Sequence, residues 1–163
     1  MMAVSKIIEK MIVYFAGIPH EVQHFMKVWG YAKVIGELER LDEHTQLILE
    51  IAAVTHDIAC PLCREKYGSA DGKLQELEGP KLVADFLKDT GLSKEDIDRI
   101  SFLVGHHHTY SGVDNLDYQI LLEADYLVNA QESGYATENI RTVLNDVFKT
   151  ETGKHLLKEM YSV

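Results

Sequence analysis

Two neighbouring residues, His56 and Asp57, close the apolar run Leu47-Ile48-Leu49-Glu50-Ile51-Ala52-Ala53-Val54-Thr55. Other metal-ligating types stand far from them in the chain: His24 before, then His106-His107-His108, then Asp125. Neutral imidazole and carboxylate suit iron, manganese, nickel and zinc, and with more oxygen magnesium, so the set offers donors for one or two divalent ions. Taken singly, most of these residues have an ordinary explanation. A His24 on a largely apolar face is more often a hydrogen-bonded core residue, and a His run at a helix C-terminus complements the macrodipole. Asp125 is harder to dismiss, because it lies within Ile120-Leu121-Leu122-Glu123-Ala124-Asp125-Tyr126-Leu127-Val128 with no Lys or Arg one turn to either side. A carboxylate so placed is almost never buried unpaired. Taken together, the residues point to a metal centre. Asp also bridges two ions about 3.5–4 Å apart through its two oxygens, which gives Asp57 a reason not to be a second His.

The elements that must position these residues read as helices. The apolar period is 3.6 nearly throughout and no alternating run suggests a sheet, so the chain is all-α, a bundle of about seven to eight helices. Helices are predicted at 3–16, 19–40, 43–60, 75–90, 93–108, 117–133, 137–149 and 151–161. Pro19, Asp42, Ser93 with Asp96, and Thr137 supply start signals, and Gly17, Gly91 and Gly134 stop signals. Adjacent helical residues point about 100° apart, so His56 and Asp57 can share an ion only near a helix end, which Pro61 is expected to supply. The stretch 61–74 reads as one long irregular loop, a type that is usually functional or disordered. No repeat or linker is evident, and the 163 residues fit a single domain, 1–163, with a core at 18–132.

Charge narrows the function. Sixteen Lys and Arg against 26 Asp and Glu leave a net −10, which disfavours nucleic-acid binding. A small phosphorylated substrate stays open, because a bound dication inverts the local field. Cys60 and Cys63 flank Pro61 and Leu62, and with no second Cys pair to complete a structural zinc site they read as two reduced thiols or, less readily, a redox pair. The start, Met1-Met2-Ala3-Val4-Ser5-Lys6, has no long apolar segment, so neither a signal peptide nor a membrane span is expected and the protein is expected in the cytoplasm.

The order His24, His56-Asp57, His106-His107, Asp125 resembles the HD-domain superfamily of metal-dependent phosphohydrolases, over about residues 18–132. The resemblance implies an all-helical domain in which His24, His56, Asp57 and Asp125 are metal ligands. Paired histidines between the His-Asp dyad and the last Asp are similar to two-metal members such as HD-GYP-type enzymes, which use one further ligand, usually a His before a Gly, about a helix earlier. Here Glu78-Gly79-Pro80 stands there, so Glu78 with His106 and His107 would hold a second ion that Asp57 bridges. Read without the resemblance, Glu78 is a solvated acid at a helix start. Cys60 replaces the expected Lys and no Gly-Tyr-Pro follows the paired histidines, which disfavours cyclic-dinucleotide cleavage.

The chemistry expected is hydrolysis of a small phosphomonoester or phosphodiester, a nucleotide or similar metabolite, by metal-activated water. Asp57 would orient the nucleophile or the ions. Lys73 would meet a phosphate as a point charge, its ordinary reading being a surface Lys, and His108 would act as acid for the leaving oxygen. Asn129, one turn after Asp125, is placed to support that ligand or the substrate. Two rival readings use the same donors: a diiron oxygenase of HD-type fold and a non-enzymatic nucleotide sensor. The N-terminal helix and the helices at 137–161 would either cap the core or mediate a homodimer.

Overall fold

The computed structural model describes residues 3–163; Met1 and Met2, part of the stretch in which no signal peptide is expected, lie outside the described residues. Among the described residues there are nine α-helices and no strand: α1 Val4–Tyr14, α2 Pro19–Leu38, α3 Glu43–Thr55, α4 Cys60–Tyr67, α5 Gly72–Leu87, α6 Lys94–Val104, α7 Leu116–Glu132, α8 Thr137–Asp146 and α9 Glu151–Tyr161.

The 3.6 period builds the expected all-helical bundle around α3. Ile48 through Thr55 are all buried, and α1, α2, α6 and α7 pack around them. A helix buried on every side is apolar all round, which explains why this segment has no polar face. α7 is likewise buried from Asp117 through Val128, with Asp117, Gln119, Glu123 and Asp125 as buried polar exceptions. Glu43–Tyr67 has the length and apolar character to cross a membrane, yet most of it is buried among the neighbouring helices, as befits a core element. Because α2 lies against both α3 and α7, three helices distant in sequence share one buried junction. His24 and Asp125 come from α2 and α7, and His56-Asp57 from the turn that follows α3.

Local chemistry sets the boundaries. Asp42 caps α3, its carboxylate accepting from the backbone N–H of His44 and Thr45, and Ser93 and Asp96 form a reciprocal capping box on α6. The long loop expected at 61–74 is not there. Pro61 opens a helix instead of ending one, since a first-turn residue needs no N–H partner. α4 then runs to Gly68, whose φ of 71° is left-handed and closes the helix, and Asp71 caps α5 at once. Only residues 68–71 connect the two helices. The helix expected at 93–108 also stops early, at Val104, and the three histidines lie at and beyond its end.

One buried carboxylate helps to tie the C-terminal helices to the core, beside apolar contacts of Ile140, Phe148 and Leu157. Glu123 on α7 is fully buried, and its Oε1 accepts from Gln119 Nε2 (2.7 Å), Lys149 N–H (2.7 Å) and Thr150 N–H (3.0 Å), while Oε2 accepts from the Thr150 hydroxyl. These bonds satisfy backbone donors at the start of α9. Glu123→Ala is expected to lower stability by about 3 kcal/mol, because it orphans several buried donors. A urea midpoint that falls at unchanged m-value would confirm it, and an unmoved midpoint would refute it.

Candidate metal centre

At the end of α3 the backbone tightens into i→i+3 bonds, Ile58 N–H to Thr55 O (3.0 Å) and Cys60 N–H to Asp57 O (2.9 Å). Leaving regular helical geometry there lets two adjacent side chains converge. His56 is fully buried and donates from Nδ1 to Ala53 O (2.8 Å). His24 is placed by α2 and gives its Nδ1 to Glu132 Oε2 (2.8 Å). With both Nδ1 atoms acting as donors, both Nε2 atoms present lone pairs.

Those lone pairs face one another and two carboxylates. His24 Nε2 lies 3.2 Å from His56 Nε2, 3.2 Å from Asp57 Oδ2 and 3.2 Å from Asp125 Oδ1. His56 Nε2 lies 3.4 Å from each of the same two oxygens. Four buried electron-rich atoms at such distances repel unless positive charge sits among them. The donor set, two imidazole nitrogens and two carboxylate oxygens, is one that a divalent ion takes. Asn129 Nδ2 donates to Asp125 Oδ1 (2.9 Å) and steadies that ligand.

The other oxygen of Asp57 faces the other way. Oδ1 is 3.4 Å from Nε2 of His107, which is buried and donates from Nδ1 to Val104 O (2.7 Å). His107 Nε2 and His108 Nε2 are both buried without a hydrogen-bond partner. Asp57, His107 and His108 each offer a ligand atom within 4.8 Å of the others. Orphaned polar atoms of this kind call for a ligand. His108 is seated by α5: its N–H donates to Glu76 Oε1 (3.0 Å), which also takes the Thr109 hydroxyl (2.8 Å), and the ring lies against Gly72, where a Cβ would fall 2.7 Å from it. Burial, with the His107 imidazole beside it, pushes the His108 imidazole down to about 4. It is therefore neutral at pH 7 and offers a lone pair, not the proton that an acid for the leaving oxygen would need.

Three expected residues stand elsewhere. Glu78 is bound to Lys66 Nζ (2.6 Å) and the Tyr67 hydroxyl (2.5 Å) on α4, so its carboxylate is engaged away from the cluster. The ring of His106 stacks on Phe102 (4.1 Å between centroids) and its Nδ1 donates to Phe102 O (2.7 Å), because neighbours near a helix end point in different directions. Lys73 is exposed beside the α5 cap and does not line the cavity at the centre. That cavity, about 600 Å³, is walled by α2, α4 and the end of α7, and its lining includes Glu21, His24, Lys27, Asp57, Arg64 and Glu132. Glu132 was recoverable from sequence, since it stands seven residues after Asp125 on the same face of α7. Glu76 gave no signal, because its partners are the backbone and side chain of a distant turn.

No family model matches the chain, and no curated protein matches it in sequence. A solved structure does resemble it: a predicted HD superfamily hydrolase from an uncultured Thermotogales bacterium, 22% identical, with a TM-score of 0.71 over 97% of this chain and 84% of that one. The protein thus shares the fold of that HD-superfamily structure, and its own histidine and aspartate cluster could hold a divalent metal.

Protons can supply the same positive charge as a metal. Burial disfavours the His56 imidazolium, but Asp57 and Asp125 outweigh it and raise the group well above its ordinary value; His24 is raised too, Asp125 overcoming burial there. Protons and metal therefore compete for the same lone pairs, and a raised pKa moves that competition to higher pH. Metal affinity is expected to fall as pH drops from about 8 to about 5.5, beginning above the ordinary His value of about 6.5. Competition titrations with a chelating dye would show it, and an affinity flat over that range would contradict it.

Proposed function

We propose that the protein is a phosphohydrolase that uses two divalent ions bridged by Asp57 to cleave a small phosphomonoester or phosphodiester of nucleotide size. The observation that carries this reading is the division of labour at Asp57. Oδ2 faces His24 and His56, Oδ1 faces His107, and so one carboxylate addresses two separate sets of donors. His24, His56, Asp57 and Asp125 would hold one ion; Asp57, His107 and His108 the other.

When bound, such a pair lowers the pKa of water to near neutrality and offsets charge that develops on the phosphoryl oxygens. The chain's own residues supply the rest. Glu132 and Ala53 O orient His24 and His56, Val104 O orients His107, and Glu76 with Gly72 seats His108, so all four imidazoles are held ready. Both carboxylates stay ionised. Burial pushes Asp57 up, but His56, with His107 and His24 beside it, holds it well below the usual carboxylate range; Asp125 is held down by His24 and His56 against the same burial. The cavity is wide enough for a small metabolite. The description of the structural neighbour as a hydrolase supports the same class.

A donor set of four imidazoles and two carboxylates also suits iron, which favours a diiron oxygenase as the second reading. Iron-rich protein that consumes oxygen with substrate would establish it.

Manganese-loaded protein is expected to release phosphate from nucleoside monophosphates or p-nitrophenyl phosphate, and Asp57→Asn to lower turnover at least about 100-fold. No phosphate release from any ester with full metal loading would overturn the reading. Metal content by mass spectrometry is expected to fall from about two ions to about one in His107→Ala and His108→Ala, and to stay unchanged in Glu78→Ala and His106→Ala. One ion in the wild type, unchanged in all four variants, would refute the bridged pair.

A further inference from the structure

The cleft holds two cations beside the metal centre, and they differ in how they are employed. Lys27 stands one turn after His24 on α2, and its Nζ pairs with Glu132 Oε1 (2.6 Å), the carboxylate whose other oxygen accepts from His24 Nδ1. Lys27 is thus part of the chain of contacts that orients a metal ligand. Arg64 has no such duty. It stands one turn after Cys60 on α4, so both side chains line the cavity with His24 and Asp57. Its side chain is 46% exposed, and among the described residues its ion pair is Nη2 on Glu21 Oε1.

We propose that Arg64 is the residue that binds the phosphate group presented to the metal centre, an assignment that rests on the phosphohydrolase reading above. Three observations carry it. The guanidinium has five N–H donors in a planar fork and spends only part of that capacity on Glu21, which leaves donors for two oxygens of a phosphate. Its position is close to the chemistry: Glu21, Asp57 and Cys60 each place a ligand atom within 4.8 Å of the others, and Arg64 rests on Glu21, so one group separates the guanidinium from the Asp57 carboxylate. Finally, the chain carries a net −10 and Lys73 lies outside the cavity, so an anion entering here meets Arg64 as the cation not already committed to a metal ligand. Glu21, itself buried, holds the guanidinium at the wall and limits the rotamer freedom lost when phosphate arrives.

Inorganic phosphate is the probe, titrated calorimetrically into manganese-loaded protein. Arg64→Gln is expected to weaken phosphate binding at least about tenfold with manganese content unchanged, and Arg64→Lys, which keeps the charge without the fork, to fall between. Because Arg64→Gln leaves the buried Glu21 with only His20 Nε2, at 3.5 Å, beside the same oxygen and can impair folding, Glu21→Gln/Arg64→Gln is measured beside it and is expected to bind phosphate as weakly as the single variant. Wild-type affinity in either Gln variant at full metal loading would overturn the assignment and leave Arg64 as a neutraliser of Glu21. A wild-type protein that is fully loaded and binds no phosphate would overturn the hydrolase reading and this assignment with it.

Discussion

Four electron-rich atoms meeting in a buried junction is the constraint on which the rest of this structure depends. His24 Nε2, His56 Nε2, Asp57 Oδ2 and Asp125 Oδ1 come together at 3.2–3.4 Å from α2, the turn that follows α3, and α7. In a low-dielectric interior this costs free energy unless a cation shares the space, and a bundle built only for stability would fill the junction with apolar side chains. The close contact of α2 with both α3 and α7 therefore serves a site as well as a core. Packing brings the donors together, and positive charge lets them remain.

The surroundings of that junction show how helix ends become ligand platforms. Both dyads, His56-Asp57 and His107-His108, lie just past the last regular turn of a helix, where i→i+3 turns re-aim neighbouring side chains. Each terminal carbonyl or carboxylate that takes a histidine Nδ1 proton selects the tautomer with a free Nε2. α5 contributes no ligand but seats one, through Glu76 and the bare face of Gly72. Far from the centre, Glu123 applies the same rule of satisfied donors to fasten α9 to α7.

Sequence periodicity was enough to recover the all-helical class and to single out the candidate ligands that lie within regular helices. His24 and Asp125 announce themselves as polar residues on apolar faces, and His56-Asp57 as a polar close to an apolar run. What periodicity cannot resolve is direction beyond a helix end. Of three consecutive histidines, the turn after α6 aims His107 and His108 at Asp57 and lays His106 on Phe102, a choice set by backbone geometry and not by residue type. Glu78 likewise has the right chemistry, but Lys66 and Tyr67 lie close enough to engage it once 61–74 folds as a helix and a short turn. That helix was hidden because Pro61 reads equally as an end and as a beginning. Arg64, set on the cavity wall by the same helix, was hidden with it.

The central claim is that the junction of α2, α3 and α7 is a cation site, and anomalous scattering from a crystal of manganese-loaded protein tests it most directly. The account predicts a strong anomalous peak enclosed by His24 Nε2, His56 Nε2, Asp57 Oδ2 and Asp125 Oδ1. Full manganese loading with no peak there, the four side chains meeting around water or turned apart, would contradict it.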